Sequence, residues 1–155
     1  MIFVPTNKMK LISIIFLTLF SFNSTIEWTT DFSKAITEAS AKNKFILLSF
    51  SGSDWCGPCM KLKKEVLDSE DFLKYSDTKL ILVRADFPRS KKNRLSPELT
   101  KNNENLAEKY NKEGKFPFTV LIDGEGNVVK SWDGYTSSMT IANMKNEIEK
   151  TIDLK

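Results

Sequence analysis

The sequence predicts a single α/β domain in which helices flank a mixed central sheet. Segments with strand-like hydrophobicity alternate with segments of helical periodicity along most of the chain. Near the C-terminal end, two strand-like segments are separated only by a short glycine-containing turn, which indicates an antiparallel hairpin. The 155 residues, 41% hydrophobic and 28% charged, are typical of one globular domain with a short additional segment.

Residues 1–24 are predicted to be a secretory signal peptide. The uncharged run LISIIFLTLF, residues 11–20, follows two lysines and precedes a polar stretch. This order is typical of an export signal, and the run is too short for a bilayer span of about 20 residues. We expect cleavage between Ser21 and Thr25, with an uncleaved membrane anchor as the alternative. The domain, residues 25–155, is therefore expected in the periplasm or another extracytoplasmic space.

The first elements of the domain lead directly to the only two cysteines of the sequence. Residues 26–28 are a short strand candidate. Residues 31–43 carry apolar side chains at helical spacing, with Thr30 or Asp31 available as the N-terminal cap. Residues 45–51, FILLSFS, are almost continuously apolar, as expected for a central strand that is covered on both faces.

The middle of the chain is predicted to contain two helices, a strand and a long loop. Apolar residues at positions 60, 62, 66 and 67 predict an amphipathic helix, and Ser69 can cap a second, short one. Residues 79–87, KLILVRADF, form the next strand candidate. Residues 88–103 contain two prolines and five Lys or Arg, and we expect a surface loop that is either simply solvated or in contact with a partner.

The last third is predicted to be a helix, a hairpin and a closing helix. The first helix covers residues 103–110, and strands at 118–122 and 127–132 flank the turn DGEG, whose two glycines are expected to adopt positive φ angles. From Ser138 onward, apolar residues recur at spacings of three and four, which predicts an amphipathic helix.

Charge and residue types exclude several classes of function. The net charge is +3, and 21 basic residues remain against 20 acidic ones when Lys8 and Lys10 of the leader are set aside. This balance does not indicate binding to nucleic acid or to an anionic membrane. The sequence has no histidine, which excludes histidine-dependent triads and histidine-ligated zinc. Chemistry must come from cysteine, carboxylate, lysine or tyrosine.

Cys56 and Cys59, in the stretch WCGPC, are the candidate catalytic residues. A tetrahedral zinc site needs four ligands, which two cysteines could supply only in a shared dimeric site. A purely structural disulfide over so short a loop would remove little entropy from the unfolded chain. Redox exchange fits the spacing best: if a helix begins at Gly57 or Pro58, its N-terminal N–H groups favour the Cys56 thiolate, and Cys59 can attack a mixed disulfide formed there.

With the motif placed, the chain resembles the thioredoxin family over nearly all of residues 26–155. The features that carry the resemblance are WCGPC after a buried strand, the helix behind it, and Phe116-Pro117 before the next strand. The stretch FSGSDWCGPCMKLKKEV, followed by a strand ending in ADFPR, is similar to exported proteins related to the C-terminal domain of the transmembrane disulfide reductase. The resemblance implies a thioredoxin fold with element order β-α-β-α-β-α-β-β-α, and neither a metal nor an organic cofactor.

The same resemblance implies roles for individual residues. Cys56 would be the nucleophile and Cys59 the resolving thiol. Pro117 would be a cis-proline that faces the disulfide, although an ordinary proline at the start of a strand is the alternative. Gly134 matches a glycine near the substrate groove, or is simply a turn glycine. The implied substrate-binding set is Trp55, Gly57, Pro58, Phe116, Pro117 and Gly134.

One departure from the family concerns proton transfer. Thioredoxins usually carry a buried acid six positions before the first cysteine, and that position is Phe50 here. Arg84 lies about where the family keeps the lysine that partners this acid. We therefore expect Cys59 to be deprotonated by water or by another carboxylate. The loop at 88–103 is a second departure, because it lengthens a connection that is short in ordinary thioredoxins.

The leading interpretation is an exported thiol–disulfide oxidoreductase that acts on proteins as a reductant. The Gly-Pro dipeptide resembles that of reducing members, whose potential is about −270 mV, against about −120 mV for the strong periplasmic oxidant. Its partners would be protein disulfides or thiols and a membrane or soluble electron donor, and we expect a monomer. An isomerase or oxidase, and a redox-inert binding module, are the alternatives.

Overall fold

The computed structural model describes residues 27–154, which form four strands and five α-helices. Among these residues, no helix has the length and apolar character required to cross a bilayer. The predicted signal peptide lies outside the described residues. In chain order the elements are α1 Phe32–Lys42, β1 Phe45–Ser51, α2 Gly57–Leu62 with a π-type turn Lys63–Leu67, α3 Glu70–Lys79, β2 Leu80–Asp86, a 3₁₀ turn Lys91–Asn93, α4 Pro97–Tyr110, β3 Phe118–Ile122, β4 Val128–Asp133 and α5 Ile141–Ile152.

The sheet is mixed, as the sequence predicts, with strand order β2-β1-β3-β4. β1 pairs parallel with β2 and antiparallel with β3, and β3 and β4 form the antiparallel hairpin. The two central strands are the most apolar ones, because helices cover both of their faces. The carboxyl end of β1 leads into the cysteine motif.

Two apolar clusters lie on opposite faces of this sheet. One contains Leu47 of β1 together with Leu62 of α2 and Ile148 of α5. The other contains Leu48 and Phe50 of β1 with residues of α1 and α4. Successive residues of β1 alternate between these clusters, since side chains of a strand point to opposite faces in turn. The α2 helix that carries the cysteines therefore packs on the Leu47 face.

Side-chain caps define where the helices begin, and two of the predicted caps are confirmed. The Asp31 carboxylate accepts the Lys34 N–H at 2.9 Å, and the Ser69 hydroxyl oxygen accepts the Phe72 N–H at 3.3 Å. Each satisfies one of the free N–H groups in the first turn. The Thr140 hydroxyl oxygen does the same for α5, so that helix begins later than Ser138.

The strand predicted at residues 26–28 was wrong in its position and extent. Ile26 lies outside the described residues, and the chain meets the sheet only at Thr29, which forms an isolated parallel bridge with Val83. The Thr29 N–H donates to the Leu82 carbonyl and the Thr29 carbonyl accepts the Arg84 N–H, both at 2.9 Å. The chain turns into α1 immediately afterwards, which limits the pairing to one residue.

The loop predicted at residues 88–103 was also wrong in its second half. α4 begins at Pro97, six positions before the predicted helix start at residue 103, and a 3₁₀ turn occupies Lys91–Asn93. The Ser96 hydroxyl oxygen accepts the Leu99 N–H at 3.2 Å and caps the helix. Proline is well suited to the first position of a helix, because its missing N–H would have no helical partner there. Pro97 therefore starts the helix that it was expected to break.

Only one of the two hairpin glycines has a positive φ angle. Gly126 has φ +88°, a conformation that favours glycine, whereas the φ angle of Gly124 is not positive. A Cβ atom at Gly124 would lie 3.0 Å from the Ser40 Cα atom. Gly124 is therefore needed for close approach to α1, while Gly126 forms the turn.

Candidate redox site

Cys56 and Cys59 form a disulfide at the N-terminus of α2. Cys56 is the N-cap residue, and its Sγ atom accepts the backbone N–H of Cys59 at 3.3 Å. The Cys56 N–H donates to the Gly52 carbonyl at 2.9 Å, which fixes the turn that precedes the helix. The predicted helix N-terminus is thus confirmed. Both cysteines are buried, with 5% of Cys56 and 3% of Cys59 exposed.

Gly57 and Pro58 form the exposed first turn of α2, directly between the cysteines. Proline is favourable there because the first N–H groups of a helix have no helical acceptor. The Cys59 N–H donates to the Cys56 sulfur, where negative charge would develop on reduction. The local sequence therefore builds an environment that stabilises a thiolate at position 56.

Trp55 is held against the site by three neighbours. Its indole N–H donates to the Phe87 carbonyl at 2.7 Å. Its ring packs edge-on against Phe116, with 5.3 Å between centroids, and the Arg89 guanidinium lies 3.7 Å from the ring centroid on its face. Phe116 in turn packs edge-on against Phe87 at 5.4 Å. These contacts join the segment before Cys56 to the segment before Pro117.

The packing of Trp55 depends on Gly52. A Cβ atom at Gly52 would lie 2.3 Å from an indole carbon of Trp55, which is far inside van der Waals contact. The ring cannot simply move aside, because its hydrogen bond and its contacts with Phe116 and Arg89 hold it. Sequence reasoning missed Gly52, since a glycine four positions before a cysteine gives no signal of close packing by itself.

Gly52→Ala is therefore expected to lower the free energy of unfolding by about 2 kcal/mol, the usual cost of overpacking. Chemical denaturation with tryptophan fluorescence as the readout measures this loss. Gly57→Ala is the matched control, because a Cβ atom at Gly57 has no neighbour within 4 Å. Equal stability of the two variants would contradict the close packing of Trp55 against Gly52.

The peptide bond between Phe116 and Pro117 is cis, as the resemblance implies. Pro117 is buried, and its carbonyl accepts the Gly134 N–H at 2.9 Å. Gly134 has φ +74°, and a Cβ atom there would meet nothing within 4 Å. The structure therefore connects Gly134 to Pro117, Pro117 to Phe116 through the chain, and Phe116 to Trp55 by packing.

Asp54 anchors the segment that follows β2 to the cysteine loop. Its carboxylate accepts the backbone N–H groups of Arg89 and Ser90, both at 2.9 Å, and the Asn93 side-chain amide at 3.0 Å. These hydrogen bonds, led by that of Arg89, hold the pKa of Asp54 below its usual value of 3.8. These hydrogen bonds to the Asp54 carboxylate are therefore fully present above about pH 3.8. They are lost as the pH falls through the lowered pKa of Asp54.

We expect Asp54→Ala to increase amide hydrogen exchange at Arg89 and Ser90, because both N–H groups lose their acceptor. Exchange followed by NMR at neutral pH measures the change as a drop in protection at these two amides. Asp31→Ala is the control, since Asp31 caps α1 and makes no contact with this segment. Unchanged protection at both amides would show that Asp54 does not order the segment.

Phe50 does not lie where a proton acceptor for Cys59 would be needed. It is fully buried in the cluster formed with α1 and α4, next to Phe87 and Phe118, whereas α2 packs on the other face of the sheet. Because side chains alternate along a strand, Ser49 lies on the face of the sheet that α2 covers. Its cross-strand neighbours are Arg84 and Thr119. The assignment of the acid position to Phe50 is therefore corrected to Ser49.

Arg84 has partners of its own. Its guanidinium donates to an Asp68 carboxylate oxygen at 3.3 Å and lies 4.7 Å from the centroid of the Trp28 ring. Asp68 is also bonded by Lys63 in the turn after α2. Arg84 therefore pairs with a carboxylate, but that carboxylate is Asp68, from the segment after α2, and not an acid on β1.

Together the fold and the site define a thioredoxin-type domain with a disulfide at the start of a helix. A sequence model of the thioredoxin-like domain matches residues 32–149. The chain belongs to this family.

Several relatives are similar to this chain. The disulfide bond reductase DsbH of Chlamydia pneumoniae is 35% identical over 101 residues, which cover 65% of this chain and 58% of that protein. The thioredoxin-related protein DsbJ of the same organism is 34% identical over 105 residues, covering 66% and 29% respectively. A solved structure of a DsbH oxidoreductase has 28% identity and a TM-score of 0.74, and the match covers 85% of this chain and 88% of the other. The matched region spans little more than half of the first curated relative and under a third of the second.

Proposed function

We propose that this protein is an exported thiol–disulfide oxidoreductase that reduces disulfides of other proteins through Cys56 and Cys59. The single observation that carries the proposal is the disulfide at the N-terminus of α2, where the Cys59 N–H already donates to the Cys56 sulfur. The same hydrogen bond and the first-turn N–H groups would stabilise a Cys56 thiolate after reduction. A disulfide placed in this way can both open and reform.

In the reductive direction, the Cys56 thiolate attacks one sulfur of a substrate disulfide and displaces the other as a thiolate. The product is a mixed disulfide between Cys56 and the substrate. The Cys59 thiolate then attacks the Cys56 sulfur, which releases the second substrate thiolate and forms the Cys56–Cys59 disulfide. Two electrons pass from the protein to the substrate, and the two substrate thiolates take up protons from solvent.

Trp55, Phe116 and Pro117 are proposed to hold the substrate beside Cys56. Trp55 and Phe116 form a packed aromatic pair that joins the cysteine loop to the cis-proline segment. An extended chain passing this pair could hydrogen-bond to the backbone of Phe116, in the manner of strand addition. Gly57, Pro58 and Gly134 would border the same path.

The reductant role is supported by the Gly-Pro dipeptide and by a relative named as a disulfide bond reductase. Export is supported by the apolar run at residues 11–20 after two lysines. A reductant in an oxidising compartment must be recharged, so an extracytoplasmic electron donor, membrane-bound or soluble, is part of the proposal.

Catalysed reduction of insulin by dithiothreitol tests the proposed activity. The protein is expected to shorten the lag before the insulin B chain precipitates, in proportion to its concentration. Bovine serum albumin at equal concentration controls for non-specific effects. A lag that does not depend on the protein would remove the oxidoreductase proposal and favour a redox-inert binding module.

A further inference from the structure

A groove of about 870 Å³ lies beside the redox site, between the segment after β2 and the start of α4. Trp55, Phe87 and Phe116 contribute aromatic surface to it, and Leu95 adds an aliphatic side chain from the segment before α4. Trp55 immediately precedes Cys56, and Phe116 immediately precedes Pro117. A polypeptide in this groove would therefore be continuous with one that reaches the disulfide.

The charges along this groove leave two arginines without a carboxylate partner. Within residues 27–154, neither the Arg89 nor the Arg94 side chain has an ion pair or hydrogen bond, and the Arg89 guanidinium lies on the face of the Trp55 ring. The groove carries three basic side chains, the third being Lys101, against two carboxylates, Asp86 and Glu104. Asp86 accepts the Ser53 N–H at 2.9 Å and the Ser53 hydroxyl at 2.6 Å, and Glu104 lies 3.9 Å from Lys101.

Asn103 forms a buried part of the groove wall. Asn103 lines the groove with only 1% of its surface exposed, and its side-chain N–H donates to the Asp86 carbonyl at 2.8 Å. Its Oδ1 atom has no hydrogen-bond partner among the described residues. That oxygen is enclosed by the protein, so a chain in the groove does not reach it, and the role of Asn103 is to hold the end of β2 against α4.

We propose that this groove binds an extended acidic segment of the substrate protein. An apolar side chain of the segment packs on the aromatic surface, and a neighbouring carboxylate pairs with Arg94. The Asp54 hydrogen bonds hold the Arg89 end of the groove in place. The inference rests on the proposed function, because it names the class of substrate that the redox site would receive.

The test measures binding in the absence of thiol exchange. A fluorescein-labelled eight-residue peptide that contains Phe-Asp-Asp and no cysteine is titrated with the oxidised protein, and fluorescence anisotropy gives the Kd. A second peptide carries Phe-Asn-Asn instead. We expect the acidic peptide to bind about fivefold more tightly at low salt, and the difference to shrink as salt is added.

Charge reversal in the protein locates the contact. Arg94→Glu is expected to weaken binding of the acidic peptide by about tenfold and to leave binding of the Phe-Asn-Asn peptide nearly unchanged. Lys74→Glu is the matched control, since Lys74 is exposed on α3 and lies outside the groove. Equal affinity for the two peptides, or the same loss in both variants, overturns the inference.

The insulin assay separates this result from the proposed function. Preferential binding of the acidic peptide by a protein that does not reduce insulin would keep the groove assignment and remove the oxidoreductase activity. Insulin reduction by a protein that binds both peptides equally would keep the oxidoreductase activity and remove the groove assignment.

Discussion

Cys56→Ser is expected to abolish reduction of protein disulfides, with a loss of about a thousandfold or more in the insulin assay. The substitution removes the Cys56 sulfur, which caps the N-terminus of α2 and is the proposed nucleophile. Serine is a preferred N-cap residue, so the helix should keep its first turn and the protein its fold. A loss of activity can therefore be assigned to the sulfur.

Cys59→Ser is the matched variant, because it removes the second thiol and leaves the first. It is expected to attack a substrate disulfide once and then remain linked to it, since nothing resolves the mixed disulfide. Non-reducing electrophoresis should show this covalent complex with Cys59→Ser and not with Cys56→Ser. Accumulation with the opposite variant, or activity above about a tenth of the starting value in Cys56→Ser, would contradict the assigned roles.

Phe50→Asp is expected to have the largest effect on stability. Phe50 is fully buried, and its ring centroid lies 6.5 Å from that of Phe87 and 6.3 Å from that of Phe118. Loss of the ring costs about 3–5 kcal/mol, and burial of a carboxylate without a partner adds to this. The sum approaches the whole stability of an ordinary domain, about 5–15 kcal/mol. Thermal unfolding followed by circular dichroism should show a large drop in Tm or no folded state.

Ser49→Asp is the control for this prediction. Position 49 lies one residue earlier on β1, on the face that α2 covers, and pairs with Arg84 on the neighbouring strand. A carboxylate there has a basic neighbour, so its cost should be clearly smaller than that of Phe50→Asp. If Phe50→Asp were instead as stable as Ser49→Asp and changed the thiol pKa values, Phe50 would have to face the cysteines.

The sequence predicts the redox site better than its surroundings, and the reasons are physical. Pro58 between two cysteines indicates a helix start, because proline is compatible with the first turn of a helix and unfavourable further along it. Residues 48–51 of FILLSFS alternate between apolar and polar, which places Phe50 and Ser49 on opposite faces of the strand. The face that α2 covers could not be predicted, because the strand is buried on both faces. Ser96-Pro97 is a signal for the start of a helix, but a proline within a polar, basic stretch is equally typical of a loop.

The groove beside the site depends on contacts between residues that are far apart in the sequence. Asp54 and Arg89 are 35 positions apart, yet the Asp54 carboxylate fixes the backbone of the later segment. No local pattern marks such a pair. Gly52 is similar, since its importance comes from the Trp55 ring that packs over it.

The equilibrium reduction potential of the Cys56–Cys59 pair tests the central claim most directly. The protein is titrated with oxidised and reduced dithiothreitol, and the fluorescence of Trp55 beside the disulfide reports the redox state. A reductant is expected to have a value near that of thioredoxin, about −270 mV. A value between about −180 and −120 mV would place the protein with isomerases or oxidases and contradict the account.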